Sequence, residues 1–414
     1  MSTVPSDSQA LRRFAAYYGF EHGLLSGDDP YWIEGAKADF SGKVKCIRLI
    51  ENGRFGNVFM QLLHATTLAR LLGCDTIQAF AFEAGPKVNS VESGGLRFCF
   101  PCRSDAAPPN VPTLAGHFFN SYPFESALRA LPAGGVWELV QATLLPLFRH
   151  IWAVPPGTGE STAVVHFRAG DIFSDPRVSP WYTQPPASYY TTAIAHLRDS
   201  FGIADVRLVF EDRSNPAIDL TETWLRDQAI PFSIQSSDLE SDAACLATAT
   251  HLVASVSTLA EVAAMLSQTL RTYVAFRQVE SHHSIHQRTL PLIADTLRRK
   301  GVQTVLVQDS DGAYTATGAW VASAEQLRRL VDYPASALAV SQPDHGVDAL
   351  QDPDLLFARL KATETEAARL RESLVRVQDR LNWLEQSRGQ RFFRQVHAVR
   401  QALGLSWLGE PERN

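Results

Sequence analysis

The sequence predicts an α/β protein whose main body is a doubly wound parallel sheet, and three observations point there. Strand-length apolar runs and helix-length periodic stretches alternate from Thr162 to Phe276. Glycine-bearing turns follow two of the predicted strands, at residues 51–57 and 168–171. Hydrophobic residues make up 45% of the chain against 20% charged, the balance of a sequence that folds around a core. Strand-then-helix repetition suits a parallel sheet, because each crossover between parallel strands needs a helix-length connection.

Residues 1–40 hold a short amphipathic piece, Leu11 to Phe20, and the loop-like Ser26-Gly-Asp-Asp-Pro30, and read as an extension before the first domain. The β-branched and aliphatic run from Val44 to Ile50 reads as a strand, and the apolar-periodic stretch from Val58 to Leu72 as a helix closed by Gly73. Between Ala84 and Pro112 the chain is rich in Gly, Pro and Ser. A helix-like stretch over 136–152 then leads to Pro155-Pro-Gly-Thr-Gly159, a boundary between a first α/β domain at 41–155 and a second at 156–345.

The second domain is the more regular. Its predicted strands lie at 162–167, 206–210, 231–235, 251–256 and 272–276, and its helices at 188–200, 220–229, 242–250 and 259–270. At 414 residues the chain is long enough for two such domains and accessory segments.

The tail carries a different period. Leu356, Leu360, Thr363, Ala367, Leu370, Leu374, Val377, Leu381 and Leu384 alternate spacings of four and three, a heptad seam within 346–389. The spacing predicts a coiled coil between chains through 356–384, a homo-oligomer; one long helix packed on the protein's own body is the alternative. Within 390–414, the basic amphipathic segment 391–408 presents Phe392, Phe393 and Trp407 and suits a membrane interface or a docked helix.

Composition excludes several classes. A net charge of -6 argues against a surface made to grip nucleic acid. The five cysteines are odd in number, and the one close pair, Cys99 and Cys102, lacks the second pair a zinc site needs, so reduced thiols are expected. The polar start has no signal-peptide pattern, and no stretch reaches the ~18 apolar residues of a spanning helix. A cytoplasmic protein is therefore expected, with the basic tail as its candidate contact to the cytoplasmic face of a membrane.

Three turns could carry chemistry. In Glu51-Asn-Gly-Arg-Phe-Gly-Asn57, Gly53 and Gly56 let the backbone turn tightly and approach a ligand, and Asn57 is placed to cap the helix from Val58. In His166-Phe-Arg-Ala-Gly-Asp171, His166 and Arg168 share one face of a strand whose end meets the Gly170-Asp171 turn. An arginine there can form bidentate bonds to a diphosphate and offset charge on a departing nucleotide, or simply pair with Asp171. In Ser255-Val-Ser-Thr-Leu-Ala-Glu261, Thr258 and Glu261 fit a capping box, and the Ser257 hydroxyl joins the backbone N–H groups in a place where a phosphate could sit.

Taken in order, Gly53-Arg-Phe-Gly-Asn57, His166-Phe-Arg-Ala-Gly-Asp171 and Val253-Ala-Ser-Val-Ser-Thr258 resemble the three signatures of the GDP-fucosyltransferase superfamily, which includes bacterial α1,2-fucosyltransferases and protein O-fucosyltransferases. The resemblance spans about residues 44 to 280. It implies a GT-B-like architecture, two Rossmann-like domains facing a cleft, with the 53–57 loop on the acceptor side. It also implies metal-independent, inverting transfer of fucose from GDP-fucose to a hydroxyl of a glycan acceptor, with no cofactor. Arg168 would neutralise the β-phosphate, with Asn57 and Arg54 near the donor across the cleft. The donor-binding set implied is Gly53, Arg54, Gly56, His166, Gly170, Asp171, Ser255, Ser257 and Thr258. Glu51 is the candidate base, because it adjoins the glycine loop and carboxylates commonly accept a hydroxyl proton. Ala169, Val58, Glu211-Asp212 and Leu259-Ala260 depart from the superfamily's frequent residues and bear on which sugar and base are recognised.

Two rivals stand beside this reading. Asp309-Ser-Asp311 after the apolar run Val302–Gln308 has the local look of a metal-binding pair in a UDP-sugar-using GT-A enzyme, although it lies beyond the alternating block and also reads as a turn. His282, His283 and His286 lack carboxylates at defined spacing and read as a polar loop, so no metal site is expected. A non-catalytic coiled-coil scaffold with a transferase-like body is the other rival.

Overall fold

The computed structural model describes residues 31–34, 45–50, 54–80, 88–100, 113–116, 118, 138–149, 158–175, 183–277, 293, 296–310, 314 and 320–342. Two compact units divide the chain, 1–346 and 347–414. The second unit lies outside the described residues, and with it the heptad seam and the basic tail.

The first unit is mixed α/β with two sheets. The first sheet contains β1 (Tyr31–Glu34), β2 (Cys46–Leu49), β3 (Thr76–Gln78), β4 (Ser90–Ser93), β5 (Leu96–Cys99) and β6 (Thr113–Gly116), in the order β1-β6-β2-β3-β5-β4. The inner four strands run parallel, and β1 and β4 close the edges antiparallel. Every residue of β2 is buried, as expected of a central parallel strand covered on both faces.

Helix α1 (Phe55–Leu72) follows β2 and is apolar nearly all round, with Val58, Phe59, Leu62, Leu63, Leu68 and Ala69 buried. It ends where Gly73 turns left-handed, at φ 68°, and donates to the Ala69 carbonyl. Residues 138–149 form the next helical stretch, which contains the short α2 (Leu145–Arg149) preceded by a wide π-turn segment, Val140–Leu144. Here the Thr143 carbonyl accepts 2.6 Å from the Ser93 hydroxyl of β4, a side-chain partner from outside the helix.

Two features of this half lie outside the expectations. The Gly-, Pro- and Ser-rich stretch, to which the sequence assigns no element, contains the β4–β5 hairpin, closed by Gly94 and Gly95 at φ 57° and 76°, the pair of positive-φ residues a tight hairpin turn demands. Part of the expected N-terminal extension is also structural, because Tyr31–Glu34 pairs with β6.

The second sheet contains β7 (Thr162–Phe167), β8 (Asp205–Phe210), β9 (Phe232–Gln235), β10 (His251–Ala254), β11 (Thr272–Arg277), β12 (Gln303–Asp309) and β13 (Leu338–Ser341). Its order is β13-β12-β11-β10-β7-β8-β9, with only β13 antiparallel. Counted from β7, the parallel strands read 3-2-1-4-5-6, the doubly wound nucleotide-binding order, whose topological switch point falls between β7 and β10. Its helices are α3 (Asp171–Ser174), α4 (Ala187–Phe201), α5 (Ala217–Asp227), α6 (Leu239–Ala247), α7 (Thr258–Leu266) and α8 (Ala324–Val331).

Cap chemistry explains where helix bounds differ from expectation. Helix α5 starts three residues early, at Ala217, where the Asn215 side-chain oxygen accepts from the Ala217 N–H at 2.9 Å and Pro216 stands in the cap position. Helix α6 likewise starts at Leu239, where the Asp238 side chain accepts from the Ser241 N–H. Helix α7 stops at Leu266, four residues short of expectation, and the Ser267 hydroxyl accepts from the N–H of Leu270.

Alternation along β7 divides the core. Val164 joins a cluster with α1, residues of 139–148, α6 and α7 that spans both sheets, whereas Ala163 and Val165 face α4 and α5. The two sheets are therefore joined through shared apolar packing, with α1 against α7 at its centre. Each large side chain buried there contributes roughly 1.5–3 kcal/mol by transfer from water. Among the described residues no helix is long and apolar enough to cross a membrane, and Cys46, Cys74 and Cys245 are buried.

Candidate anion-binding site between the two sheets

Helix α1 follows β2 in the chain, and β6 and β3 flank β2 on either side. In the second sheet the equivalent place is occupied by the ends of β7 and β10. Open α/β sheets bind ligands at such switch points. Here the two face one another, because the start of α1 meets the start of α7.

Contact between the helix starts is close. The Thr258 hydroxyl donates to the Asn57 side-chain oxygen at 3.2 Å. A Cβ built on Gly56 would stand 2.4 Å from the Thr258 hydroxyl and 2.7 Å from the Leu259 nitrogen, so only glycine fits. Asn57 is not the helix cap expected of it. The helix begins at Phe55 with Arg54 in the cap position and no side-chain cap bond, which places Asn57 inside the first turn. The capping box expected of Thr258 and Glu261 is likewise displaced: Ser257 is the cap, its hydroxyl accepting from the Leu259 N–H at 3.3 Å.

Helix α1 thus begins with a cation and no acid in its first turn. That is the reverse of the usual preference, since a helix N-terminus already carries partial positive charge. The neighbouring N-terminus of α7 adds more. Such a place favours an anion.

Four charged side chains supply the present balance. The Arg54 guanidinium grips Glu211 with two parallel bonds of 2.6 and 2.8 Å. Arg168, just beyond β7, pairs with Asp171, the alternative its spacing allowed. The pairs cross: Arg54 lies 3.9 Å from Asp171, and Arg168 lies 3.9 Å from Glu211. Arg168 is the deepest of them, its side chain 18% exposed against 45–53% for the other three.

The floor beneath this ring is held rigidly. Gly170 adopts φ 72° and ψ −125°, a region open only to glycine, and its N–H donates to the Ser214 hydroxyl at 2.9 Å and to Asp212 at 3.2 Å. The Asn215 amide donates to the Arg168 carbonyl at 2.9 Å. Burial pushes the Asp212 carboxyl up, but hydrogen bonds from Ser214 and Gly170 and the Arg54 charge outweigh it and hold the group below the usual carboxylate range.

His166 and Ser255 form the layer below. They share a 2.8 Å hydrogen bond between Nδ1 and the hydroxyl, both buried. Burial first, and the Arg168 charge second, depress the His166 imidazole to about 3, so it is neutral at physiological pH. The Tyr189 hydroxyl of α4 donates to the Ala254 carbonyl at 2.6 Å, fixing the end of β10 from the other face.

The structure therefore brings together Arg54, Gly56, Asn57, His166, Arg168, Gly170, Asp171, Ser255, Ser257 and Thr258. Glu51 and Gly53 lie outside the described residues. Glu211, Asp212, Ser214 and Asn215 belong to the same cluster and were not among the expected site residues. Their signal was positional: they follow a parallel strand adjacent to the one carrying Arg168.

Asp309 is elsewhere and otherwise engaged. It is wholly buried, accepting 2.8 Å from the Tyr314 N–H and 2.5 Å from the Tyr333 hydroxyl, so it holds its own loop together. Asp311 and the three loop histidines lie outside the described residues.

No family model matches the chain, and no curated protein matches it. Among solved structures, the chain is similar to crystal structures of POFUT1. One, in complex with GDP, is 14% identical with a TM-score of 0.35, covering 57% of this chain and 99% of that one. Another, in complex with GDP-fucose, is 15% identical with a TM-score of 0.35, covering 58% and 99%.

Proposed function

We propose that the protein is a glycosyltransferase that moves fucose from GDP-fucose to a hydroxyl of a glycan acceptor by metal-independent, inverting displacement. One observation carries the reading: Arg54 and Arg168 converge where two helix N-termini abut, between the switch points of two α/β sheets. That is a site for a compact, multiply charged anion, and a nucleoside diphosphate is such an anion. The superfamily resemblance of the motifs at 53–57, 166–171 and 253–258 narrows the donor to a GDP-sugar.

In this reading the halves at 41–155 and 156–345 are the acceptor and nucleotide sides of a GT-B-like enzyme. The acceptor oxygen attacks the anomeric carbon from the face opposite GDP, and the bond from that carbon to the β-phosphate oxygen breaks. Arg168, held by its carbonyl on Asn215, balances the charge that builds on the leaving β-phosphate. Arg54 reaches the diphosphate from the other sheet, and Asn57 stays fixed by Thr258. The acceptor's proton passes to a carboxylate, for which Glu51 is the candidate. Residues 356–384 would join copies of the chain, and 391–408 would rest on the cytoplasmic face of a membrane near a lipid-linked acceptor.

Incubation with GDP-fucose in the presence of EDTA tests the proposal, with released GDP quantified and the sugar's anomeric configuration followed by NMR. Release of GDP with inversion is expected. Binding without any turnover would favour the scaffold reading, and activity only with a UDP-sugar and a divalent cation would contradict the proposal outright.

A further inference from the structure

We propose that Glu211 is a built-in competitor for the donor's diphosphate, a carboxylate that occupies Arg54, within 3.9 Å of Arg168, until phosphate displaces it. The inference rests on the donor reading above and adds to it a residue that governs affinity and product release.

The geometry is that of a ligand stand-in. Both Glu211 oxygens are bound by Arg54, at 2.6 and 2.8 Å, and one of them also lies 3.9 Å from Arg168. The carboxylate therefore lies within reach of guanidinium groups supplied by different sheets, as a bridging phosphate would. The chain makes room for it: a Cβ on Gly170 would stand 2.4 Å from a Glu211 oxygen and 2.8 Å from its carboxyl carbon. The backbone beneath is pinned, since the Glu211 carbonyl accepts from the Ser236 hydroxyl at 3.3 Å, whereas the side chain remains 45% exposed. A fixed backbone with an exposed carboxylate can let go without disturbing the strand.

Exchange follows from charge. A single carboxylate against the half-exposed Arg54 is a weak partner, screened by water. A diphosphate brings more charge and more acceptor oxygens and wins the same guanidinium groups. A ligand without phosphate has no reason to displace Glu211. After transfer, the returning carboxylate speeds departure of the nucleoside diphosphate.

The test is calorimetric titration of the full chain and of Glu211→Gln with inorganic pyrophosphate, GDP and guanosine. Removing the competitor should tighten pyrophosphate and GDP by the same factor, roughly threefold to tenfold, with guanosine unchanged. The gain should vanish when Glu211→Gln is made on an Arg54→Ala background. GDP binding that is unchanged or weakened in Glu211→Gln would overturn the competitor while leaving the donor reading standing. A pyrophosphate gain with no GDP binding in either protein would support the competitor and sink the donor reading. No binding of pyrophosphate or GDP to either protein would overturn both.

Discussion

The start of α1 and the start of α7 are placed alike and finished differently. Each follows a central parallel strand and faces the other. Helix α7 is completed by its own residues, with the Ser257 hydroxyl on the Leu259 N–H and Glu261 in the first turn. Helix α1 has neither a side-chain cap nor an acid, and Arg54 stands where a cap would stabilise. A missing cap forgoes about 1 kcal/mol. In the proposed reading the uncapped start of α1 is the half of the site left open to an anion, a place now taken by Glu211 on Arg54, whereas the start of α7 is already closed by its own cap.

The largest expected effect lies on the second sheet. Arg168→Ala should lower GDP-fucose turnover by about a hundredfold to a thousandfold, the scale seen when a donor aimed at developing charge is removed, with little change in melting temperature.

The histidines beneath the site sharpen the comparison through pH. Burial lowers His166 to about 3 and His64, within α1, to about 4. Both folded values lie below the unfolded one near 6.5, so above that pH neither state is charged and nothing is lost. As pH falls through 6.5 the unfolded chain takes up protons first. Stability should drop by about 1.4 kcal/mol per pH unit for each group until the folded values are reached. Urea midpoints between pH 7 and pH 5 check this, and His166→Asn should flatten the slope.

Gly56→Ala attacks the contact between the helix starts. Its Cβ meets backbone of α7, which cannot swing aside, so a loss of about 1–3 kcal/mol is expected from overcrowding, readable as a lower urea midpoint.

The smallest effects separate the helix starts most cleanly. Ser257→Ala should cost about 1 kcal/mol of stability. Arg54→Ala should cost less, since an exposed ion pair contributes about 0–1 kcal/mol, yet weaken GDP binding. Equal stability losses with unchanged GDP binding in both would erase the distinction drawn here.

Much of the second sheet was legible because buried parallel strands and amphipathic helices leave opposed periodic signatures along the chain. Helix starts were missed by one to three residues where a side chain outside the apolar period accepts from the first turn, as at Asn215, Asp238 and Ser257. The Gly94-Gly95 hairpin carried a local signal that the surrounding Gly, Pro and Ser obscured. Pairing of β1 with β6 is non-local and left no mark in either segment. The motifs holding Arg54, Arg168 and Ser257 were readable as turns from spacing, and their convergence was expected only from the superfamily resemblance. Glu211 joins Arg54 across 157 residues, and no spacing rule links them.

The most direct test of a shared anion site is GDP titration of the unaltered chain, Arg54→Ala and Arg168→Ala by calorimetry in EDTA. The account predicts measurable GDP binding that each substitution weakens at least tenfold, although the two arginines belong to different sheets. GDP binding insensitive to both substitutions, or absent from the unaltered chain, would contradict it.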